Sequence, residues 1–205
     1  MNNHTPDALT MPPTFRLYLA RGVAALVWAA LLVVALSSSG SLTPQDSVPA
    51  FAGALLIIYP LIDVVASLID ARTQQRRGAP RSATTQLANA AISSATALAI
   101  AVTASHGADA ILRVFGTWAF LTGLIQLTLG LLRRRHGTPG QWAMILSGGI
   151  STVAGLSFIQ MAGKSDLNLT PLAGYATFGA VFFLLSAWRL RSQRHATPTI
   201  SRTGA

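Results

Sequence analysis

Residues 113–160 constrain this chain more than any other stretch. They comprise an apolar run, RVFGTWAFLTGLIQLTLGLL, a basic cluster of Arg133, Arg134, Arg135 and His136, and a second apolar run, WAMILSGGISTVAGLSFIQ. Each run is long enough to cross a hydrocarbon core of roughly 30 Å, and the arginines between them mark the side held in the cytoplasm. The stretch reads as a transmembrane helical hairpin. Comparable runs recur along the chain, and spans are predicted over residues 17–37, 50–71, 84–105, 111–132, 141–162 and 170–188.

Only 10% of the residues are charged while 51% are hydrophobic, which excludes a soluble globular domain. Six crossings leave short loops and no soluble catalytic domain, so any chemistry must sit between helices or at their ends. There are no cysteines, which excludes disulfides, thiolate nucleophiles and cysteine metal sites. The net charge of +9 is held in short clusters that border apolar runs. That distribution points to anionic lipid headgroups as partners rather than nucleic acid.

The expected organisation is an all-α six-span membrane domain over 16–194 between polar tails at 1–15 and 195–205. The first span reads as a retained helix and not a signal peptide, because its apolar core exceeds the usual length and five further spans follow it. Of the 15 Lys and Arg residues, all but Arg113 and Lys164 fall on the side that holds both termini and the 72–83 and 133–140 hinges. Asp46, Asp109 and Asp166 fall opposite. This asymmetry predicts both termini in the cytoplasm and an even number of spans. Tyr18, Trp142 and Trp188 lie near span ends as interfacial anchors, whereas Trp28 and Trp118 lie deeper.

Superposing the even-numbered spans aligns Pro60 with Gly123 and Gly179, Asp63 with Gln126 and Phe182, and Ser67 with Gly130 and Ser186. The alignment reads as a two-helix hairpin used three times. Gly116, Gly123, Gly130, Gly148, Gly155 and Gly179 are the candidate packing positions, where missing side chains let helix backbones approach. Small-residue faces of this kind also fit association with a second copy or another membrane protein.

Arg21 with Gly22, the group Tyr59, Leu61 and Asp63, and the block 115–155 with Gly116, Gly123, Gln126, Arg133, Trp142, Gly148 and Gly155 carry a family likeness. On these residues the chain resembles the HdeD-like bacterial inner-membrane proteins over about residues 17–190. The resemblance implies short repeated two-helix units, an inner-membrane location and a link to acid or stress tolerance, without naming a biochemical activity. The chain departs from the family pattern at Ala30 and Val64, where glycines are usual nearby, and no proline ends the fifth span.

Asp63 is the leading candidate for chemistry. It lies about 12 Å of helix from the basic end of its span, too deep to be interfacial. A carboxylate at that depth needs a partner or a polar cavity. Arg21 enters from the same side and is the expected ion-pair partner, with Tyr59 one turn away as a hydrogen-bond donor. The competing reading makes Asp63 a proton or cation site in a pocket shared with Gln126. Asp70, beside Arg72, reads as a local surface salt bridge. His106, Asp109 and Arg113 form a titratable cluster on the opposite side, read as an ordinary polar turn in preference to a pH sensor. No metal-ligand spacing, catalytic triad or phosphate-binding loop is present, and neither a cofactor nor an enzymatic activity is expected. Two functions remain: a non-enzymatic membrane protein of stress tolerance acting through assembly, or a small transporter or channel-like pathway centred on the second span.

Overall fold

The computed structural model describes residues 13–137 and 141–195, which form six α-helices. These are α1 (Pro13–Leu36), α2 (Ala50–Arg76), α3 (Pro80–Thr103), α4 (Ala108–Arg135), α5 (Trp142–Met161) and α6 (Thr170–His195). All six are long and apolar enough to cross a membrane. Residues 1–12 and 196–205 of the expected tails lie outside the described residues, as do 138–140 of the second basic hinge. Residues 13–15, expected in the first tail, already belong to α1. Several helices outrun the predicted spans because their basic ends continue past the apolar core: α2 has 27 residues and α4 has 28.

Among the described residues the helix backbones come close only between neighbours in chain order and between α6 and α1. The helices therefore stand in a ring. The close pairs are α2 with α3, α4 with α5, and α6 with α1, whereas α1–α2, α3–α4 and α5–α6 are looser. Close packing thus joins the second helix of one expected unit to the first of the next. The expected units are the looser pairs.

The α4–α5 seam is close because it is made of glycine. A Cβ on Gly155 would stand 2.4 Å from the Phe120 nitrogen, one on Gly148 2.5 Å from the Leu127 nitrogen, and one on Gly123 2.6 Å from the Thr152 nitrogen. Gly116 and Gly130 meet the opposite helix in the same way. Backbones meet with nothing between them, which in lipid replaces the hydrophobic drive that water supplies elsewhere. Gly179 departs from this expectation. The nearest atom to a Cβ there is the Tyr59 hydroxyl at 3.9 Å, an ordinary contact, so Gly179 is not a packing glycine. Gly22, tight against Leu184, has that role between α1 and α6.

One end of the ring carries the basic hinges and the other is closed by its loops. Leu42 and Leu167 form an isolated antiparallel bridge, with N–O distances of 3.0 and 2.7 Å, tying the α1–α2 loop to the α5–α6 loop. Ala108 N donates to Asp46 O at 3.0 Å, bringing in the α3–α4 turn. Gly107 makes this crossing feasible: its φ is 116°, and a Cβ would lie 2.2 Å from the Pro44 carbonyl oxygen. Behind the loops, Leu32, Ile100, Ile111, Leu112, Leu169 and Leu172 are buried and fill the ring. Large apolar side chains such as Val34, Leu98 and Val153 cover its outer surface, as lipid requires.

Candidate functional site

The interior changes character halfway along its axis. Phe115, fully buried on α4, touches the rings of Trp28, Tyr59, Trp118, Phe158 and Tyr175, with centroids 5.2 to 6.4 Å away. These rings come from five helices and form a floor across the lumen. Pro60 interrupts the backbone ladder of α2 beside it, and Trp28 Nε1 donates to the nearby Leu55 carbonyl at 2.6 Å.

Above the floor is a cavity of about 620 Å³ that extends to the basic end. From Tyr59 at the floor to Gln74 at the mouth is about 22 Å of helix at 1.5 Å per residue. Each helix contributes one face. On α3 the lining residues Ser82, Gln86 and Asn89 follow helical spacing and make a polar stripe that continues to Ser93. On α6 the lining includes Phe178, Phe182 and Phe183, so one wall is polar and another aromatic.

Asp63 sits in the wall of this cavity, its side chain 14% exposed. Arg21 Nη2 pairs with its Oδ1. Its Oδ2 accepts from Asn89 Nδ2 at 2.6 Å and Ser93 Oγ at 2.8 Å. Trp118 Nε1 donates to Ser93 Oγ at 2.9 Å, and Asn89 also donates to the buried Ser67 Oγ at 2.9 Å. Both carboxylate oxygens therefore have donors, the condition under which a charge remains stable at this depth. The Arg21 guanidinium also lies over Phe183, 4.4 Å from its centroid.

The structure brings Asp63 and Arg21 together and places Gln126 in the lining of the same cavity, while Tyr59 departs from its expected role. Tyr59 is not a donor to the carboxylate: its ring stacks on Trp28 at 4.2 Å, and its hydroxyl faces Gly179. Gln126 donates to Ser147 on α5 and shares the cavity with Asp63 without touching it. Asn89, Ser93 and Trp118 complete the site instead. The signal for Asn89 and Ser93 was the polar periodicity of the third span, whereas Trp118, on α4, was legible only as a deep tryptophan.

Asp70 corrects another expectation. It is buried, 4% exposed, and bonded to Gln74 at 3.3 Å rather than paired with Arg72 at the surface, because its helix turns that position into the lumen. At the opposite end Arg113 Nε meets Asp109 Oδ2 at 3.5 Å, but His106 contacts Ser105 Oγ and does not join them. Among the described residues no group of three His, Asp or Glu side chains is placed to hold a metal ion.

Six membrane-length helices ringed around a lumen with polar and aromatic walls define a multi-pass helical membrane protein with an internal vestibule. Over residues 88–160, from mid-α3 nearly to the end of α5, the chain matches the family model described as a short repeat of unknown function (DUF308). No curated protein and no solved structure matches the chain.

Proposed function

We propose that this chain is a non-enzymatic, HdeD-like protein of the bacterial inner membrane that admits a small solute to a vestibule open to the cytoplasm. The observation that carries the reading is the cavity reaching the Arg21–Asp63 pair from the basic end. A purely structural ion pair needs no such space, and a lumen with hydrogen-bonding groups at this depth is the usual form of a solute site in membrane proteins. The positive-inside rule supports placing the basic end and both termini in the cytoplasm. The arginines of the 72–83 and 133–140 hinges then face anionic headgroups. Three two-helix units arranged around the lumen fit the alternation of close and loose pairs.

In this reading Asp63 and Arg21 form the deep polar wall, while Gln126, Ser147 and Asn89 offer hydrogen bonds to the solute. The loop-tied end is closed, so passage across the membrane requires the Leu42–Leu167 bridge to part. The link to acid or stress tolerance comes from the family resemblance and supplies the physiological setting.

The absence of native cysteines makes the test direct. Thr122 lines the cavity above the floor and bonds only to carbonyls of its own helix. In membrane vesicles, Thr122→Cys should react with a membrane-impermeant methanethiosulfonate reagent applied to the cytoplasmic face and not to the other. A thiol inert from both faces would sink the vestibule, and one reactive only from outside would reverse the orientation.

A further inference from the structure

The ring is loosest between α5 and α6. The other two loose seams carry polar ties above the floor: Arg21 with Asp63 across α1–α2, and Arg133 with Ser82 across α3–α4. Across α5–α6, Ser151 and Tyr175 share a 2.7 Å hydrogen bond down at the floor. Nearer the basic end Ala143, Met144 and Ile150 of α5 and Phe178 and Phe182 of α6 belong to the vestibule wall. Phe178 is also 60% exposed. A side chain that lines the lumen and still faces the bilayer marks a lateral gap, and its apolar edges suit an acyl chain better than water.

The lumen behind this gap is positively biased. Arg21, Arg133 and Arg189 line it against Asp63 and Asp70. Arg21 is committed to Asp63, and the Asp70 carboxylate is buried under Gln74. Arg133 is half-buried and contacts only neutral acceptors at the edge of bonding range, Ser82 Oγ at 3.4 Å and Met144 Sδ at 4.0 Å. Among the described residues no carboxylate lies within ion-pair distance of it. A guanidinium with vacant donors is suited to a carboxylate, which it can hold through two parallel hydrogen bonds.

We propose that the vestibule takes an anionic amphiphile, a carboxylate on a hydrocarbon chain. It enters sideways from the bilayer between α5 and α6, places its head on Arg133, and leaves its chain past Phe178 among the lipids. This rests on the vestibule reading above. It adds the class of ligand and the route.

The test uses full-length Thr122→Cys protein in neutral phosphatidylcholine nanodiscs, labelled with an uncharged maleimide. Decanoate should slow labelling about tenfold, as a charge-assisted pair on a desolvated guanidinium allows. Decyltrimethylammonium, decanol and benzoate at equal concentration should not. Arg133→Gln should abolish decanoate protection while leaving the ligand-free labelling rate unchanged, and Arg133→Lys should restore part of it. A thiol that never labels defeats the vestibule itself. Normal labelling with no decanoate protection, or with equal protection by the cationic amphiphile or by decanol, overturns the anionic ligand and leaves the vestibule standing. Protection by benzoate matching that by decanoate overturns lateral entry, because benzoate is a soluble anion without a chain. If Arg133→Gln labels normally and is still protected, Arg133 is not the head-group site and the proposal fails.

Discussion

Ser93 on α3 donates its hydroxyl proton to Asp63 Oδ2 on α2 at 2.8 Å, and its side chain is fully buried. Together with Arg21 and Asn89 it gives an intramembrane carboxylate the donors it needs, contributed by two helices, α1 and α3. The first expectation follows from this arrangement. Asp63→Asn leaves Arg21 without its counter-charge and should lower stability in detergent by about 3–5 kcal/mol, whereas Ser93→Ala should lower it by about 1–3 kcal/mol. In a double-mutant cycle, the loss in Arg21→Gln with Asp63→Asn should fall short of the sum of the single losses. Strict additivity in thermal unfolding would show that the pair is not energetically coupled.

The glycine seam makes a sharper contrast. Gly148→Ala and Gly155→Ala place a methyl group against backbone nitrogens and should each destabilise by about 1–3 kcal/mol or more. Gly149→Ala, one residue along on the same helix, meets open space and should stay within about 0.5 kcal/mol of the parent. Equal melting temperatures for Gly148→Ala and Gly149→Ala would refute the seam as described.

Phe115 holds the floor by touching five rings. Truncation to alanine should cost about 3–5 kcal/mol through lost burial and the cavity left behind. The same variant should let an uncharged thiol reagent reach Ile111→Cys beneath the floor, a position fully buried in the parent. Unchanged protection at Ile111→Cys would mean that the leucines below seal the lumen without the aromatic layer.

At the closed end, the hydrogen-bonded Leu42–Leu167 pair should have its Cα atoms about 5.5 Å apart, within reach of a disulfide. Leu42→Cys with Leu167→Cys should cross-link on oxidation without loss of Thr122→Cys labelling from the basic side. If the protein moves solute across the membrane, the cross-link should stop flux and reduction should restore it. Flux unaffected by a complete cross-link would rule out passage through this end.

Much of the fold was legible because membrane insertion is read locally. Apolar run length sets the number of helices, and the basic hinges gather at one end of the ring because Arg72, Arg76, Arg77, Arg81 and Arg133 all fall at the corresponding helix ends. The Arg21–Asp63 pair was legible for a related reason: two opposite charges at similar depth in an apolar medium have few other solutions. The glycine positions of α4 and α5 were also visible, though not which helix each would meet.

The sequence by itself thus determined six apolar crossings, their basic end, and an ion pair at a fixed depth. All three follow from the free energy of placing residues in hydrocarbon, which depends on each span with little regard to its neighbours. Tertiary structure decided that α6 closes on α1, that Gly179 and Asp70 turn into a lumen rather than a seam or surface, and that Asn89 and Ser93 are the donors to Asp63 that Tyr59 was expected to supply. Those outcomes depend on how each helix is rotated about its own axis. In lipid that rotation is set by which small residues let which backbones meet, a pairwise property that no single span contains.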